Sequence, residues 1–162
     1  MLDAISEGKN WQNAELTHTI IAAAIGLHSG IGPGFIEAIY HRGMILALKA
    51  FGLECSSEVT VPVYYKGVLL GRHRIDLVAA GTVIVELKSV KHFDDIHFAQ
   101  VRSYLAASGL EVGLLLNFGG TRLGIRRVYS ENQRRSLVGS VHHGFARPPM
   151  PGSTPELESP GD

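Results

Sequence analysis

RIDLVAAGTVIVELK, residues 74–88, alternates in a way that constrains the rest of the chain. A period of two sorts its side chains onto the two faces of an extended backbone. Ile75, Leu77, Val83, Val85 and Leu87 form an apolar set, while Arg74, Asp76, Val78, Ile84, Glu86 and Lys88 form a mixed set that holds every charge. This pattern predicts two half-buried strands joined as a hairpin. The expected join is a three-residue loop, Ala79-Ala80-Gly81, with the glycine supplying a left-handed conformation at its last position. Val78 then faces Thr82 and Asp76 faces Ile84. Asp76 and Glu86 become diagonal neighbours on one face, with Lys88 next along the strand. A one-residue slip would send Leu77 and Val85 to opposite sides, so the apolar face requires the same parity.

Two carboxylates a few ångströms apart repel, and a shared divalent cation with oxygen ligands relieves that repulsion. A lysine beside them can orient a water or stabilise charge developing on a phosphate. Glu-x-Lys on a strand is ordinarily a solvated sheet face. Asp76 in register and the short apolar residues Val78 and Ile84 argue for a face covered by another element.

Composition bounds the alternatives. With 162 residues, 45% of them hydrophobic, the chain can bury one compact core. Fifteen basic and fifteen acidic residues leave no net charge, so a nucleic-acid partner must be met by a local patch. A single cysteine, Cys55, excludes an internal disulfide and a cysteine-based zinc cluster, which fits a cytoplasmic location. No apolar run is long enough to span a bilayer, so no membrane role is expected. The first residues carry no apolar signal core.

Along the chain, residues 1–14 read as a flexible lead-in. The alanine-rich run 16–27 reads as a buried helix capped by Thr17 or Asn13. Gly30, Gly32 and Gly34 around Pro33 should break it. Pro33 can begin a second helix that continues to about Phe51 and stops at Gly52. A strand follows over 53–65, with Pro62 placing it at an edge or a bulge, and Tyr65-Lys66-Gly67-Val68 turns the chain back into the first arm of the central hairpin. Glu58 fits an exposed strand position, and His73 stands where a site-facing histidine could exchange protons. After Lys88 a helix is expected with Asp94 or Asp95 as N-cap, and His97, Gln100 and Tyr104 along one stripe. Gly109 ends it. The near-continuous apolar run in EVGLLLNFG suits a strand buried on both faces and reached by a helical crossover, hence parallel to its neighbour. TRLGIRRV pairs as the last strand. Lys91, Arg102, Arg122, Arg126 and Arg127 could form a phosphate-binding rim or serve as solvated edge charges. From Ser130 the composition shifts to Gly, Pro and Ser, and 130–162 is expected to be disordered, with His142 and His143 too isolated for a metal site. The fold class is therefore α/β with a mixed sheet, in the order α-α-β-β-β-α-β-β, and residues 15–129 form its domain.

Asp76, a nine-residue gap and Glu86-Leu87-Lys88 resemble the signature of the PD-(D/E)xK nuclease superfamily. Gly34, Glu37 and Tyr40 stand at the spacing Gly-x-x-Glu-x-x-Tyr, which resembles the GxxExxY family of small bacterial proteins placed within that superfamily. Further blocks look similar to that family: Tyr65-Lys66-Gly67, Arg74-x-Asp76-Leu77, Ala99-Gln100 with Tyr104-Leu105, and Gly113-Leu114-Leu115-x-Asn117-Phe118-Gly119. The resemblance covers about 16–128. It implies a restriction-endonuclease-like core and a nuclease dependent on Mg2+ or Mn2+ that hydrolyses phosphodiester bonds in DNA or RNA. Asp76, Glu86 and the carbonyl of Leu87 would hold the metal, with Glu37 completing the acidic set directly or through water. Lys88 would position the attacking water and Gln100 would support it. The alternative is a nuclease-like domain that binds nucleic acid or a protein partner without catalysis. A homodimer or partner could supply missing surface in either case.

Overall fold

The computed structural model describes residues 3–135. Its elements are α1 (Asp3–Ile31), α2 (Glu37–Ala50), β1 (Cys55–Tyr65), β2 (Val68–Ala79), β3 (Val83–Lys88), α3 (Asp95–Ser108), β4 (Val112–Asn117) and β5 (Gly124–Tyr129), in the expected order. The five strands form one mixed sheet in the spatial order β1-β2-β3-β4-β5. Only β3 and β4 run parallel, linked by the α3 crossover, and every residue of β4 is buried. Helices cover both faces. Ile20, Ala24, Tyr40, Met44 and Leu48 from α1 and α2 pack on Leu77, Val85, Leu87, Leu114 and Leu116. On the other face Val101, Tyr104 and Leu105 from α3 pack on Val78, Ile84 and Leu115. Each such buried aliphatic side chain contributes about 1.5–3 kcal/mol relative to exposure.

The hairpin turns one residue later than expected. Ala80 (φ 49) and Gly81 (φ 67) both take left-handed backbone, the requirement of a type I′ turn, and the Thr82 N–H donates to the Ala79 carbonyl at 3.1 Å. The pairs become Ala79↔Val83, Val78↔Ile84 and Leu77↔Val85. Partners shift by two positions, so each side chain keeps its predicted face. Ile75 is the exception. It packs with Val78 and Ile84 and not with Leu77, because its partner strand is irregular just there: Glu58, across from Asp76 on β1, has φ 53, and the β2–β3 ladder has ended.

The helix boundaries also differ. α1 begins at Asp3, so residues 3–14 continue the helix where a lead-in was expected. Thr17 lies inside it and its hydroxyl donates to the Ala14 carbonyl at 3.0 Å, so neither Thr17 nor Asn13 caps the helix. Gly30 is helical too. α1 runs past it to Ile31, and in its last turn buried His28 has Nε2 2.9 Å from the Gly120 carbonyl. α2 starts at Glu37 and not at Pro33: Gly34 sits at φ 102, a conformation open to glycine, and keeps the chain out of the helix until Ile36. Pro62 lies on the edge strand β1, beside a bulge at Val63/Tyr64, as its missing N–H demands. Residues 131–135 form a helical turn started by Ser130, whose hydroxyl accepts the Gln133 N–H, so the expected disorder does not begin at 130. The remainder of that tail, with His142 and His143, lies outside the described residues.

Gly119 approaches the chain after β3 so closely that an added Cβ would lie 2.7 Å from the Val90 nitrogen and 2.9 Å from its carbonyl carbon. These are backbone atoms that cannot rotate away. Gly119→Ala should destabilise the fold by about 1–3 kcal/mol, read as a lowered urea midpoint at unchanged slope; an unchanged midpoint would refute this close packing.

Candidate active site

The site begins where β2 leaves β3. Their pairing stops at Leu77↔Val85, and its continuation sets Asp76 across from Glu86, closer than the diagonal placement expected from the sequence. In place of the next ladder bond, the Leu87 N–H donates to Asp76 Oδ2 at 2.9 Å. The neighbouring Lys88 carbonyl accepts the Phe118 N–H on the β4 side. Strand alternation therefore turns the Leu87 N–H and C=O together toward Asp76.

Glu86 follows Ile84 on the α3 face and is 2% exposed. Lys88, on the same face, donates from Nζ to Glu86 Oε1 at 2.8 Å. Glu86 Oε2 is buried with no hydrogen-bond partner among the described residues. Burial, and next the negative charge of Asp76, push the Glu86 carboxyl up to about 7, against the lowering effect of Lys88; Glu37 adds a smaller repulsion. The α3 helix covers this pair. Gln100 Nε2 donates to the Tyr104 hydroxyl at 2.6 Å. Burial and the charge of Glu86 raise that phenol to about 12.

Glu37 stands to the side of this pair. It is exposed, and its Oε2 accepts the Ser89 N–H at 3.3 Å. Among the described residues no three His, Cys, Asp or Glu side chains come together closely enough to hold a metal ion. Asp76 and Glu86 form a pair, and Glu37 stands farther off, adding only a smaller repulsion to Glu86. Glu37 opens α2, in its first turn, and faces the chain just past Lys88.

Gly34, Glu37 and Tyr40 nonetheless act together. Tyr40, fully buried, accepts the Phe35 N–H at 3.2 Å, donates to the Gly32 carbonyl at 2.8 Å, and stacks on Phe118 with ring centroids 4.5 Å apart. Ser89 Oγ donates to the Phe35 carbonyl at 2.8 Å. The α1–α2 loop is thereby fastened to the exit of β3.

Other expected residues scatter. His97 belongs to the start of α3, where Nδ1 accepts the Asp94 N–H at 3.0 Å, so it leaves the stripe of Gln100 and Tyr104. His73 packs edge-on against Tyr104 at 5.0 Å, and Glu58 is exposed beside Arg74 at 3.6 Å. The basic residues form no single rim. Arg126 and Arg127 alternate across β5, opposite Leu115 and Leu114, and Arg126 lies over Phe93. Arg102 borders a hollow with Glu111 and Tyr129, while Lys91 borders one with Glu37 and Ser89. A hollow lined by Lys49, Cys55, Ala80 and Gly81 lies at the turn end of the hairpin, away from the carboxylates.

Two residues escaped the sequence reading. Buried Asn117 accepts the Val90 and Gly119 N–H groups, each at 3.0 Å, and donates to the Val90 carbonyl at 2.8 Å. Its signals were an amide closing the apolar run GLLLN and its place in the block Gly113–Gly119, neither of which gave it a task. His41 Nε2 lies 3.1 Å from the Asp76 carbonyl and 3.2 Å from Ser57 Oγ, a contact between distant segments that no local pattern announces.

Among solved structures, that of SSO0001 is 20% identical and aligns over 65% of this chain and 55% of its own, with a TM-score of 0.47. The alkaline exonuclease LHK-Exo from Laribacter hongkongensis is 10% identical over 65% of this chain and 59% of its own, with a TM-score of 0.45. The chain therefore spans a little more than half the length of each. No curated protein matches it. The family model of the PD-(D/E)XK nuclease superfamily matches residues 14–128, well over half of the sequence, and the chain belongs to that superfamily.

Proposed function

We propose that this protein is a divalent-metal-dependent nuclease of the GxxExxY type, hydrolysing phosphodiester bonds in nucleic acid. The observation that carries the reading is the buried Glu86 carboxylate beside Asp76, one oxygen paired with Lys88 and the other without a partner. An unpartnered buried carboxylate oxygen is costly unless something completes it. Two adjacent carboxylates with the Leu87 carbonyl turned toward them are an all-oxygen set of the kind Mg2+ or Mn2+ takes, and PD-(D/E)XK nucleases generally use divalent metals. Asp76, Glu86 and the Leu87 carbonyl would hold the ion. When bound, it supplies positive charge to the scissile phosphate and acidifies a water.

The chain's own groups do the remainder. Lys88, held by Glu86, aims an ammonium at the site and orients the attacking water. Gln100 supports that water through its amide, with Tyr104 fixing the amide's orientation. Glu37 acts from the side, holding Ser89 and therefore the end of β3 in place, and reaches the ion only through water. The GxxExxY assignment is supported by the shared task of Gly34, Glu37 and Tyr40 in closing the α1–α2 loop onto that strand.

Linkage gives one test. A carboxyl raised from 4.5 to about 7 keeps, in the folded chain, a proton that the unfolded chain has already released. The folded state binds more protons across that window, so stability falls as pH rises through it, by on the order of 3 kcal/mol. Without divalent ions the melting temperature should drop from pH 4.5 to 7, and Glu86→Gln should flatten that slope. Mn2+ should raise the melting temperature of the wild type at pH 8 and leave Asp76→Ala unmoved. Equal Mn2+ stabilisation of both proteins would place the metal elsewhere.

Catalysis is tested with a panel of single- and double-stranded DNA and RNA in Mn2+. Lys88→Ala should lower cleavage roughly a hundredfold or more. Equal cleavage by wild type and variant would remove Lys88 from the chemistry. Mn2+ binding lost in Asp76→Ala with no cleavage by the wild type would point to a nucleic-acid- or protein-binding role on the same frame.

A further inference from the structure

Beyond Leu77, β2 pairs with β1 alone, so residues 59–75 form a two-stranded ribbon that turns at Lys66 (φ 49) and Gly67 (φ 80). At about 3.3 Å per residue, the arm 68–74 extends roughly 20 Å from the carboxylates. Its base is covered by α3, where Val61 is buried and His73 meets Tyr104. Its outer part is bare. Tyr64 and Tyr65 are each 61% exposed, Val68 62% and Leu70 66%.

The charge there is one-sided. From 59 to 75 there is no acidic residue, while Lys66, Arg72 and Arg74 fall within it, in a chain whose formal net charge is zero; Glu58 at the base lies 3.6 Å from Arg74, which leaves Lys66 and Arg72 as the cations of the outer part. Arg72 pairs with Pro62 and Arg74 with Thr60, and Tyr64 follows on β1 just past the bulge. Lys66 Nζ lies 5.4 Å from the centre of the Tyr65 ring. The ribbon starts at Asp76, so a strand lying along it leads into the site.

We infer that this ribbon grips single-stranded nucleic acid and directs it to Asp76 and Glu86. Exposed tyrosines stack on bases of any sequence, and the cations take the phosphates. A duplex hides its base faces, so single strands are the class that fits. Pairing two ribbons of a dimer would crowd like charges, and Pro62 removes an edge N–H that such pairing would use. The inference takes its ligand class from the nuclease reading, but its binding test stands apart from cleavage.

The test is anisotropy of a fluorescein-labelled dT20 oligonucleotide with the full chain in EDTA. Wild type should bind dT20 more tightly than a mixed-sequence duplex of the same length. Replacing both tyrosines (Tyr64→Ala with Tyr65→Ala) should weaken dT20 binding roughly tenfold or more. The corresponding phenylalanine pair should retain it, which separates lost stacking from lost folding. Lys66→Gln with Arg72→Gln should reduce the salt slope by roughly 1.4. Unchanged dT20 binding by the alanine pair would overturn the inference. So would sedimentation showing a wild-type dimer that the alanine pair dissolves. Ribbon-dependent binding without cleavage in Mn2+ would defeat the nuclease reading alone, and cleavage indifferent to the ribbon variants would defeat the ribbon alone.

Discussion

One hydrogen bond sets the character of this molecule: the Leu87 N–H that would continue the sheet ladder is given instead to the Asp76 carboxylate. A strand that parts from its neighbour must satisfy the backbone groups it exposes. Here a side chain does so, allowing β2 to leave β3 while both remain ordered. The parting creates a gap in the sheet, bordered by a carboxylate and a backbone carbonyl. It also frees the outer arm of β2 to pair with β1 alone. The site and the ribbon share that origin.

The second constraint is the burial of Glu86. A carboxylate 2% exposed, facing Asp76 and answered only by Lys88, is held in a state its neighbours oppose. The sheet tolerates this because the rest of β3 and β4 is apolar and locked between helices on both faces. Strain of this kind persists where surrounding packing over-determines the position. Around it the chain is tied down at points where β3 ends. Asn117 holds Val90, Glu37 holds Ser89, and Tyr40 closes the loop that carries Phe35 to Ser89. Among the described residues Glu37 joins no metal-holding group of three, and its observed contact is with the Ser89 N–H at the end of β3.

How much of this could be read from residues alone depended on the range of the interaction. The alternation in 74–88 gave both strands and their faces, because parity survives a shift of the turn by one residue. Pro62 announced an edge, and the apolar run before Asn117 announced a strand buried on both sides. Ile75 changed face because of an irregularity in β1, at Glu58, distant in sequence. Thr17 looked like a cap because its hydroxyl suits that role; the extension of α1 to Asp3 put it inside the helix instead.

By itself, then, the sequence determined element order, the mixed sheet with its one parallel pair, and the placing of Asp76, Glu86 and Lys88 around one hairpin. These follow from periodicity and from turn chemistry, which act between near neighbours. Tertiary structure alone decided that Asp76 replaces a ladder bond, that Glu86 keeps an oxygen unanswered, and that Glu37 faces Ser89. Each of these depends on where helices and strands distant in sequence come to rest, and no local pattern carries that information.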